Sequence, residues 1–397
     1  MKMFPAIALA FLFVLALTFP SSAQGPAGLF DSGRVRLVEE VRITDADLPE
    51  SAFFRNPRGV AIDAAGNVYV SDFDADHIKV FGPDGKFRTT IGRKGQGPGE
   101  LWSPSAIEVS GDHLVAWEIM NRRFSILNLK GELIKTAPTI YGPQGELMAL
   151  RALPRGRFAA FVERGLPAQS QVRLPEERNY AVLLLDGDLA PVRTIFEKRI
   201  RNRVWTHHPQ TQGLIQVGFP YHPNVSADIS PQGTLAVGLR EKYELGIYDP
   251  DKGKIADIAR PYNPLKLEER DRQAHFSSFR MVVFQGETKT IVPKAPDYVV
   301  AKTEFPEFLP PYRGLIFDGR GRLWVQVFTA DRKSNVFDVF SPEGKYSNRI
   351  TVEGATIDAN FTSAFEKRFA GDFLWKIERD EDGYASLVKY RLAPAAR

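Results

Sequence analysis

The segment VAIDAAGNVYV, residues 60–70, consists of a short apolar run, a turn containing Gly66, and a second run of apolar and aromatic residues. The same pattern recurs five more times along the chain, around Gly111, Gly156, Gly233, Gly321 and Gly371. Successive glycines are 45, 45, 77, 88 and 50 residues apart. A propeller blade occupies about 40–45 residues. The shorter spacings therefore match one blade, and the longer ones match one blade with an insertion.

Five of the six units contain a second turn glycine, 19 to 31 residues after the first: Gly85, Gly131, Gly187, Gly253 and Gly344. Tight hairpin turns favour glycine because their backbone requires positive φ. Each unit is therefore predicted to form four short antiparallel strands, a to d, with the a–b and c–d turns at the two glycines. The fold class predicted from this pattern is all-β, a six-bladed β-propeller of four-stranded antiparallel blades.

The sixth unit supplies only three strand-like segments, the last of them at residues 384–392. A further strand-like segment, VRLVEEVRI at residues 35–43, precedes the first unit. Closing a ring of blades removes exposed sheet edges. We therefore expect residues 35–43 to supply the fourth strand of the last blade and to close the ring.

These features resemble the six-bladed β-propellers related to NHL-repeat proteins, which are common among exported bacterial proteins. The resemblance covers roughly residues 34–392. Its most specific motifs are DAAGNVYV with Asp72 (63–70 and 72), IKVF (78–81), GRKGQGPGE (92–100), DGRGRLWV (318–325) and VKYRL (388–392). The resemblance implies the fold more than a function, since most such propellers have no assigned activity.

Residues 1–23 have the pattern of a secretory signal peptide, with Lys2, an apolar run from Ala6 to Phe19, and small residues up to Ala23. The apolar run is shorter than the roughly 20 residues that a transmembrane helix needs. We expect cleavage after Ala23. Residues 24–397 would then form a single propeller domain, a monomer without a membrane span, that is secreted or periplasmic.

Composition excludes several classes of protein. The 52 Lys and Arg against 48 Asp and Glu give a net charge of +4, spread along the chain without a run of five like charges. Nucleic acid is therefore not an expected partner. The chain has no cysteine, which excludes disulfides, thiolate metal sites and cysteine nucleophiles.

Long insertions are expected at about residues 163–179, 198–222 and 261–308, with a smaller one at 329–335. In an antiparallel blade, the b–c and d–a connections lie on the opposite face from the a–b and c–d turns. All four insertions therefore belong to one face, the insertion face, opposite the short-turn face. Loops on a rigid scaffold often carry binding residues, so we expect an unidentified protein, peptide or glycan partner to bind here. Within the longest insertion, residues 265–273 have the composition of a short helix.

One insertion concentrates Arg, aromatic and His residues: Arg201, Arg203, Trp205, His207, His208, Tyr221 and His222. Arginine offers a fork of hydrogen-bond donors and aromatic rings offer stacking faces. These residues are the candidate ligand-binding set, for an anionic or sugar-like group. Adjacent histidines favour solvated loop positions over a zinc site, so the sequence predicts neither a metal nor another cofactor.

An acidic motif, the D-x-D-x-D segment from Asp72 to Asp76, is similar to the start of a calcium loop. The residues at the Gly and Glu positions of an EF-hand do not match. Asp72 and His77 instead occupy the same repeat positions as Glu118 and Arg123. The repeat therefore indicates a structural role for these carboxylates.

The sequence favours a non-catalytic, exported propeller that binds its partner through the insertion face. The catalytic residues, if any, are not identifiable, since no motif pairs a nucleophile with a base. The alternative that the resemblance leaves open is a metal-dependent propeller hydrolase, lactonase or lyase. Such enzymes hold calcium or zinc in the central channel.

Overall fold

The computed structural model describes residues 28–141, 145–164, 177–207, 209, 214–277, 281–285, 288–292, 294–333, 335–359 and 365–395. The signal-like residues 1–23 lie outside this part of the chain, as does most of the insertion at 163–179. The first strand is β1 (Arg34–Ile43). It precedes the six blades of the ring.

Each of blades one to four is a four-stranded antiparallel sheet of consecutive strands. Blade one contains β2 (Pro57–Ile62), β3 (Val68–Asp72), β4 (His77–Phe81) and β5 (Phe87–Ile91). Blade two contains β6 (Pro104–Ser110), β7 (His113–Glu118), β8 (Arg123–Asn128) and β9 (Leu133–Pro138). Blade three contains β10 (Glu146–Leu153), β11 (Arg157–Arg164), β12 (Glu177–Leu185) and β13 (Pro191–Arg201).

A two-stranded hairpin, β14 (Arg203–His207) and β15 (Leu214–Gly218), follows blade three. Blade four contains β16 (Ser226–Ile229), β17 (Leu235–Gly238), β18 (Glu244–Asp249) and β19 (Gly253–Ala259). The long connection to blade five contains α1 (Glu269–Ser277), the hairpin β20 (Met281–Gln285) and β21 (Thr288–Val292), and α2 (Asp297–Val300).

The last two blades share one eight-stranded sheet. Blade five contains β22 (Tyr312–Phe317), β23 (Leu323–Val327), β24 (Val336–Phe340) and β25 (Tyr346–Glu353). The sixth blade contains β26 (Lys367–Ala370), β27 (Phe373–Arg379) and β28 (Ala385–Pro394), with β1 as its outer strand. The six-bladed, all-β architecture predicted from the turn glycines is confirmed. Gly66 and Gly85, for example, have φ of 83° and 80°, which a residue with a Cβ adopts only with strain.

Ring closure by the N-terminal strand is also confirmed. β1 pairs antiparallel with β28 from Val35 opposite Pro394 to Ile43 opposite Leu387. Its first three residues also pair in parallel with β25, at residues 351–353. The strand β1 thus completes the sixth blade and also pairs with β25, the outer strand of the fifth blade.

The described core is a ring of six hydrophobic clusters, one between each pair of neighbouring blades. Between blades five and six, Trp324 and Phe337 are fully buried and their rings lie 5.7 Å apart. Val35 and Leu37 of β1 belong to the same cluster. Each blade therefore buries both of its faces against neighbours.

The insertions differ in detail from the sequence prediction. Residues 198–201 belong to the outer strand β13, and the rest of the insertion at 198–222 begins with the hairpin β14–β15. The helix expected at residues 265–273 begins only at Glu269. Lys266 forms a bridge with Phe308, and the N–H of Leu267 donates to the carbonyl of Glu307 at 2.9 Å. This pairing keeps residues 265–267 extended.

The closure strand makes a stability prediction with a matched control. Leu37 is 2% exposed and packs in the blade five–six cluster, whereas Arg36 beside it is exposed. Leu37→Ala should lower the free energy of unfolding by about 2–5 kcal/mol, because it leaves a cavity in this cluster. Arg36→Ala should change it by less than about 0.5 kcal/mol. Urea unfolding of both variants measures this. Equally small changes in the free energy of unfolding for both variants would contradict the conclusion that β1 stabilises the ring.

Candidate functional site

The structure distributes the seven candidate ligand-binding residues over several environments. Arg201 ends β13, while Arg203, Trp205 and His207 lie on β14. Tyr221 and His222 follow β15, and His208 lies outside the described residues. Both Trp205, which is half-buried, and His207, which is exposed, are on the hairpin.

Arg203 faces the protein interior. Its residue is 6% exposed, and its guanidinium donates to the Tyr180 hydroxyl at 3.0 Å and to Asn202 Oδ1 at 3.1 Å. Nη2 also lies 3.7 Å from Glu163 Oε2. Burial lowers the pKa of Arg203. This arginine therefore ties the hairpin β14–β15 to blade three.

Arg201, by contrast, is exposed. It forms two contacts of 3.2 Å with Glu304, and its guanidinium lies 5.0 Å from the Phe219 ring centre. His222 also contacts Phe219, with 5.1 Å between the centres of the two rings. Burial lowers the pKa of His222, so its imidazole is neutral at pH 7.

Tyr221 points away from these residues toward α1. Its hydroxyl donates to the carbonyl of Asp271 at 3.3 Å, and burial raises its pKa. Four of the candidate residues thus have three different sets of neighbours. Arg203 contacts blade three, Arg201 and His222 contact Phe219, and Tyr221 contacts α1.

The insertion face carries a larger feature, a cavity of about 500 Å³ between blades four and five. We call it the insertion-face cleft. Both ends of the long connection line it, through residues 260–263 and 265 and residues 309–311, and the b–c loops add Tyr243 and residues 328–330. The two ends are fixed to each other, since the N–H of Leu309 donates to the carbonyl of Leu265 at 2.8 Å.

A buried carboxylate organises the polar wall of this cleft. Asp338, which is fully buried, accepts hydrogen bonds from the Tyr243 hydroxyl at 2.8 Å and from Arg349 at 2.8 and 3.0 Å. Arg260 Nε lies 3.8 Å away from it. The same guanidinium stacks 3.5 Å from the ring centre of Tyr346. Two guanidinium groups therefore share one carboxylate, which leaves the wall positively charged.

A second cavity, of about 570 Å³, opens at the centre of the ring on the short-turn face. We call it the central cavity. It is lined by the ends of the innermost strands β2, β6, β10, β16, β22 and β26. Sequence reasoning missed its charged residues.

Four of the charged residues that line the central cavity occur at one repeated strand position. This position is on the innermost strand of each blade, and its six occupants are Ala61, Glu108, Arg151, Asp228, Ile316 and Arg368. Their partners on the neighbouring strand are Tyr69, Val115, Ala159, Ala236, Trp324 and Trp375. Four of the six are charged, although neighbouring positions are mainly apolar. Reading the six repeats in register from their first turn glycines reveals this signal.

These side chains connect across the channel. Arg151 Nη1 lies 3.2 Å from Glu108 Oε1, and Arg151 Nε lies 3.5 Å from Asp228 Oδ1. Arg368 forms an ion pair with the same Glu108 oxygen. The second oxygen of Glu108 accepts a hydrogen bond from the N–H of Ala152 at 3.3 Å, and the second oxygen of Asp228 accepts one from the N–H of Phe317 at 2.8 Å. The network links blades two, three, four, five and six.

The acidic motif near residue 72 has the structural role predicted from the repeat. Asp72 accepts the N–H groups of Arg55 and Asn56 at 2.9 and 2.8 Å and pairs with the buried Lys79 at 2.6 Å. Glu118 accepts the N–H of Trp102 at 2.9 Å in the next blade. Both carboxylates fix the chain just before an innermost strand. Among the described residues, no group of three or more His, Asp or Glu side chains could hold a metal ion.

Comparison with known proteins agrees with this architecture. A family model described as a 6-bladed β-propeller matches residues 52–225, which span blades one to three and the following hairpin. Together with the six blades, this match defines the fold of the chain as a six-bladed β-propeller, as the sequence resemblance implied. Within the described ranges, no helix is long and apolar enough to cross a membrane.

Individual proteins show more distant similarity. The chain is 28% identical over 97 residues to protein brain tumor of Drosophila melanogaster, which is 23% of this chain but only 9% of that protein. A DUF4221-family structure from Bacteroides vulgatus aligns with 12% identity and a TM-score of 0.49, over 91% of this chain and 99% of that one. A Xanthomonas campestris gluconolactonase aligns with 14% identity and a TM-score of 0.42, over 86% and 87%.

The two arginines of the hairpin region give a paired prediction. Arg203→Ala should lower the free energy of unfolding by about 1–3 kcal/mol, because it removes a buried hydrogen bond to Tyr180 and a buried positive charge beside Glu163. Arg201→Ala removes only an exposed ion pair and should cost about 0–1 kcal/mol. Thermal and urea unfolding of the two variants test the contrast. A cost for Arg201→Ala that equals or exceeds that of Arg203→Ala would show that the assignment is reversed.

Proposed function

We propose that this chain is an exported, non-catalytic propeller that binds a protein partner by holding an extended, acidic peptide segment in the insertion-face cleft. The observation that carries the proposal is the convergence of Arg260 and Arg349 on one cleft whose lining also includes two tyrosines and three prolines. Secretion or a periplasmic location is part of the proposal, and rests on the signal-like pattern of residues 1–23.

The position of the cleft supports a binding role. It lies on the face that carries the long connections, where a rigid ring presents loops to solvent. The backbone hydrogen bonds that join residues 265–267 to residues 307–309 hold its walls together before any partner arrives. A preformed site loses less conformational entropy on binding than one that must be ordered.

The chemistry of the cleft supports a peptide as the occupant. Pro261 and Tyr262 are exposed on the cleft wall, Tyr262 at 37%, and Pro310 and Pro311 line the cleft from buried positions. Proline and aromatic surfaces of this kind suit an extended peptide, whose side chains dock on rings while its backbone stays extended.

The charge of the cleft supports an acidic residue in that peptide. Arg349 uses Nε and Nη2 for Asp338, yet about half of its side chain is exposed. A planar guanidinium binds carboxylates through paired hydrogen bonds. Because Asp338 neutralises only one of the two arginines, a peptide carboxylate would complete the charge balance.

Binding of synthetic peptides tests this proposal. The probes are fluorescent decapeptides that contain proline and Asp or Glu, with their Asn or Gln counterparts, measured by anisotropy. Acidic peptides should bind more tightly than the amide versions, and the difference should shrink at high salt. Tyr262→Ala should weaken binding about 10- to 30-fold, as expected for an aromatic anchor.

A matched control is Tyr384→Ala, since Tyr384 is 69% exposed and lies at the b–c turn of blade six, outside the cleft. It should bind peptides like the unaltered protein. Binding that survives Tyr262→Ala but is lost in Tyr384→Ala would overturn the proposal, as would selective binding of oligosaccharides in place of peptides. Elemental analysis of the same preparations distinguishes the metal-dependent enzyme, which requires stoichiometric calcium or zinc.

A further inference from the structure

The b–c loop of blade five supplies part of the wall of the insertion-face cleft. Phe328, Thr329 and Ala330 of this loop line the cleft, together with Leu265 from the long connection. The loop begins where β23 ends, at Val327, so it lies outside the strand pairing of its blade. Contacts other than the sheet must therefore fix the position of this wall.

An ion pair between the loop and α1 supplies such a contact. Arg332 Nε lies 2.8 Å from Asp271 Oδ1, and Arg332 Nη2 lies 2.8 Å from Asp271 Oδ2. Two parallel hydrogen bonds between a guanidinium and a carboxylate fix orientation as well as distance. The side chains of Arg332 and Asp271 are only 14% and 8% exposed, so water competes little for either partner. We call this pair the loop clamp.

Further hydrogen bonds beside the clamp connect the two walls through their backbones. Arg332 Nη2 donates to the carbonyl of Lys266 at 3.0 Å, and Arg270 donates to the carbonyl of Ala330 at 3.0 Å. Lys266 follows the cleft residue Leu265, and Ala330 lines the cleft itself. The long connection and the b–c loop are therefore held at a fixed separation.

The carboxylate of the clamp is held in place as well. Asp271 Oδ2 accepts the N–H of Glu268 at 2.9 Å, and the carbonyl of Asp271 accepts the Tyr221 hydroxyl at 3.3 Å. The hydrogen bonds from Arg332 and from the N–H of Glu268 hold the pKa of Asp271 below its usual range. The carboxylate is therefore ionised at neutral pH, as the clamp requires.

The backbone of Arg332 indicates that the loop depends on these contacts. Its N–H donates to the carbonyl of Thr329 at 2.9 Å, which closes a tight turn, and its φ is 60°. A residue with a Cβ adopts this region only with strain, which surrounding contacts must offset. Without the clamp, the turn would be free to adopt other conformations.

We propose that Asp271 and Arg332 are positioning residues for the insertion-face cleft, which hold residues 328–330 in the arrangement that receives an acidic peptide. Neither residue is part of the cleft lining, so both act through the wall that they hold. This inference rests on the proposed peptide-binding function, but the positioning can be measured without a peptide.

Hydrogen–deuterium exchange of the free, full chain tests the positioning. Asp271→Asn removes the charge of the clamp but keeps an oxygen that can accept the N–H of Glu268, so α1 should stay folded. The amides of residues 265–267 and 328–333 should exchange about 5-fold or more faster in this variant, because local opening sets the exchange rate.

The matched control is Asp372→Asn. It also removes a carboxylate that pairs with arginines, Arg320 and Arg322, but does so at the a–b turn of blade six on the short-turn face. Exchange at residues 265–267 and 328–333 should be the same in this variant as in the unaltered protein.

Peptide affinity tests the consequence, and its sign separates positioning from charge. Asp271→Asn makes the insertion face more positive, so electrostatic attraction alone would strengthen the binding of an acidic decapeptide. Loss of the fixed wall should instead weaken it about 5- to 20-fold, since the loop must then be ordered on binding. Arg332→Lys keeps the charge of the face but cannot form the two parallel hydrogen bonds, and should weaken binding about 3-fold or more. Asp372→Asn should bind like the unaltered protein.

Unchanged exchange at residues 328–333 in Asp271→Asn would overturn the proposal, as would peptide binding that is unchanged or stronger in that variant. If the unaltered protein binds no acidic peptide, the proposed function fails, and the exchange rates alone decide whether the clamp positions the loop. If Asp271→Asn does not fold, Arg332→Lys replaces it in both measurements, and the same two results would overturn the proposal.

Discussion

Pairing between β1 and β28 is the constraint on which the rest of the molecule depends. A four-stranded blade that lacks its outer strand exposes a row of unpaired backbone groups, and such an edge invites aggregation. β1 supplies that strand and reaches β25 of the preceding blade as well. The ring can then bury hydrophobic clusters at all of its described blade interfaces, including the fifth–sixth contact around Trp324.

A closed ring also separates the two faces. Strand parity sends every a–b and c–d turn to one side and every long connection to the other. The insertion-face cleft is therefore assembled from both ends of one connection and from two b–c loops. The central cavity is assembled from the opposite ends of the innermost strands. The proposed acidic peptide thus approaches the ring from the insertion face.

Much of this architecture could be predicted from sequence because it repeats. Turn glycines with positive φ mark the hairpins, and the missing strand of the sixth unit points to residues 35–43. The burial of Arg203 and the exposure of Arg201 could not be predicted, because they depend on where β13 ends and β14 begins. The hairpin β14–β15 could not be predicted either, because the composition of residues 203–218 indicates only a loop.

The sites were harder to predict than the fold for a physical reason. Arg260 and Arg349 are far apart in sequence, and they lie close together in the fold because both pair with Asp338 at one blade interface. The charges at Glu108, Arg151, Asp228 and Arg368 belong to four different blades. Each looks like an isolated polar residue in an apolar strand until the repeats are placed in register.

Hydrogen–deuterium exchange of the full chain, with and without a bound acidic decapeptide, tests the functional division of the two faces most directly. The account predicts slower exchange on peptide binding in residues 239–243, 260–267, 309–313 and 328–330, which form or flank the insertion-face cleft. The turns at residues 230–234 and 318–322, on the opposite face of the same two blades, should exchange at unchanged rates. Protection confined to those turns would contradict the account.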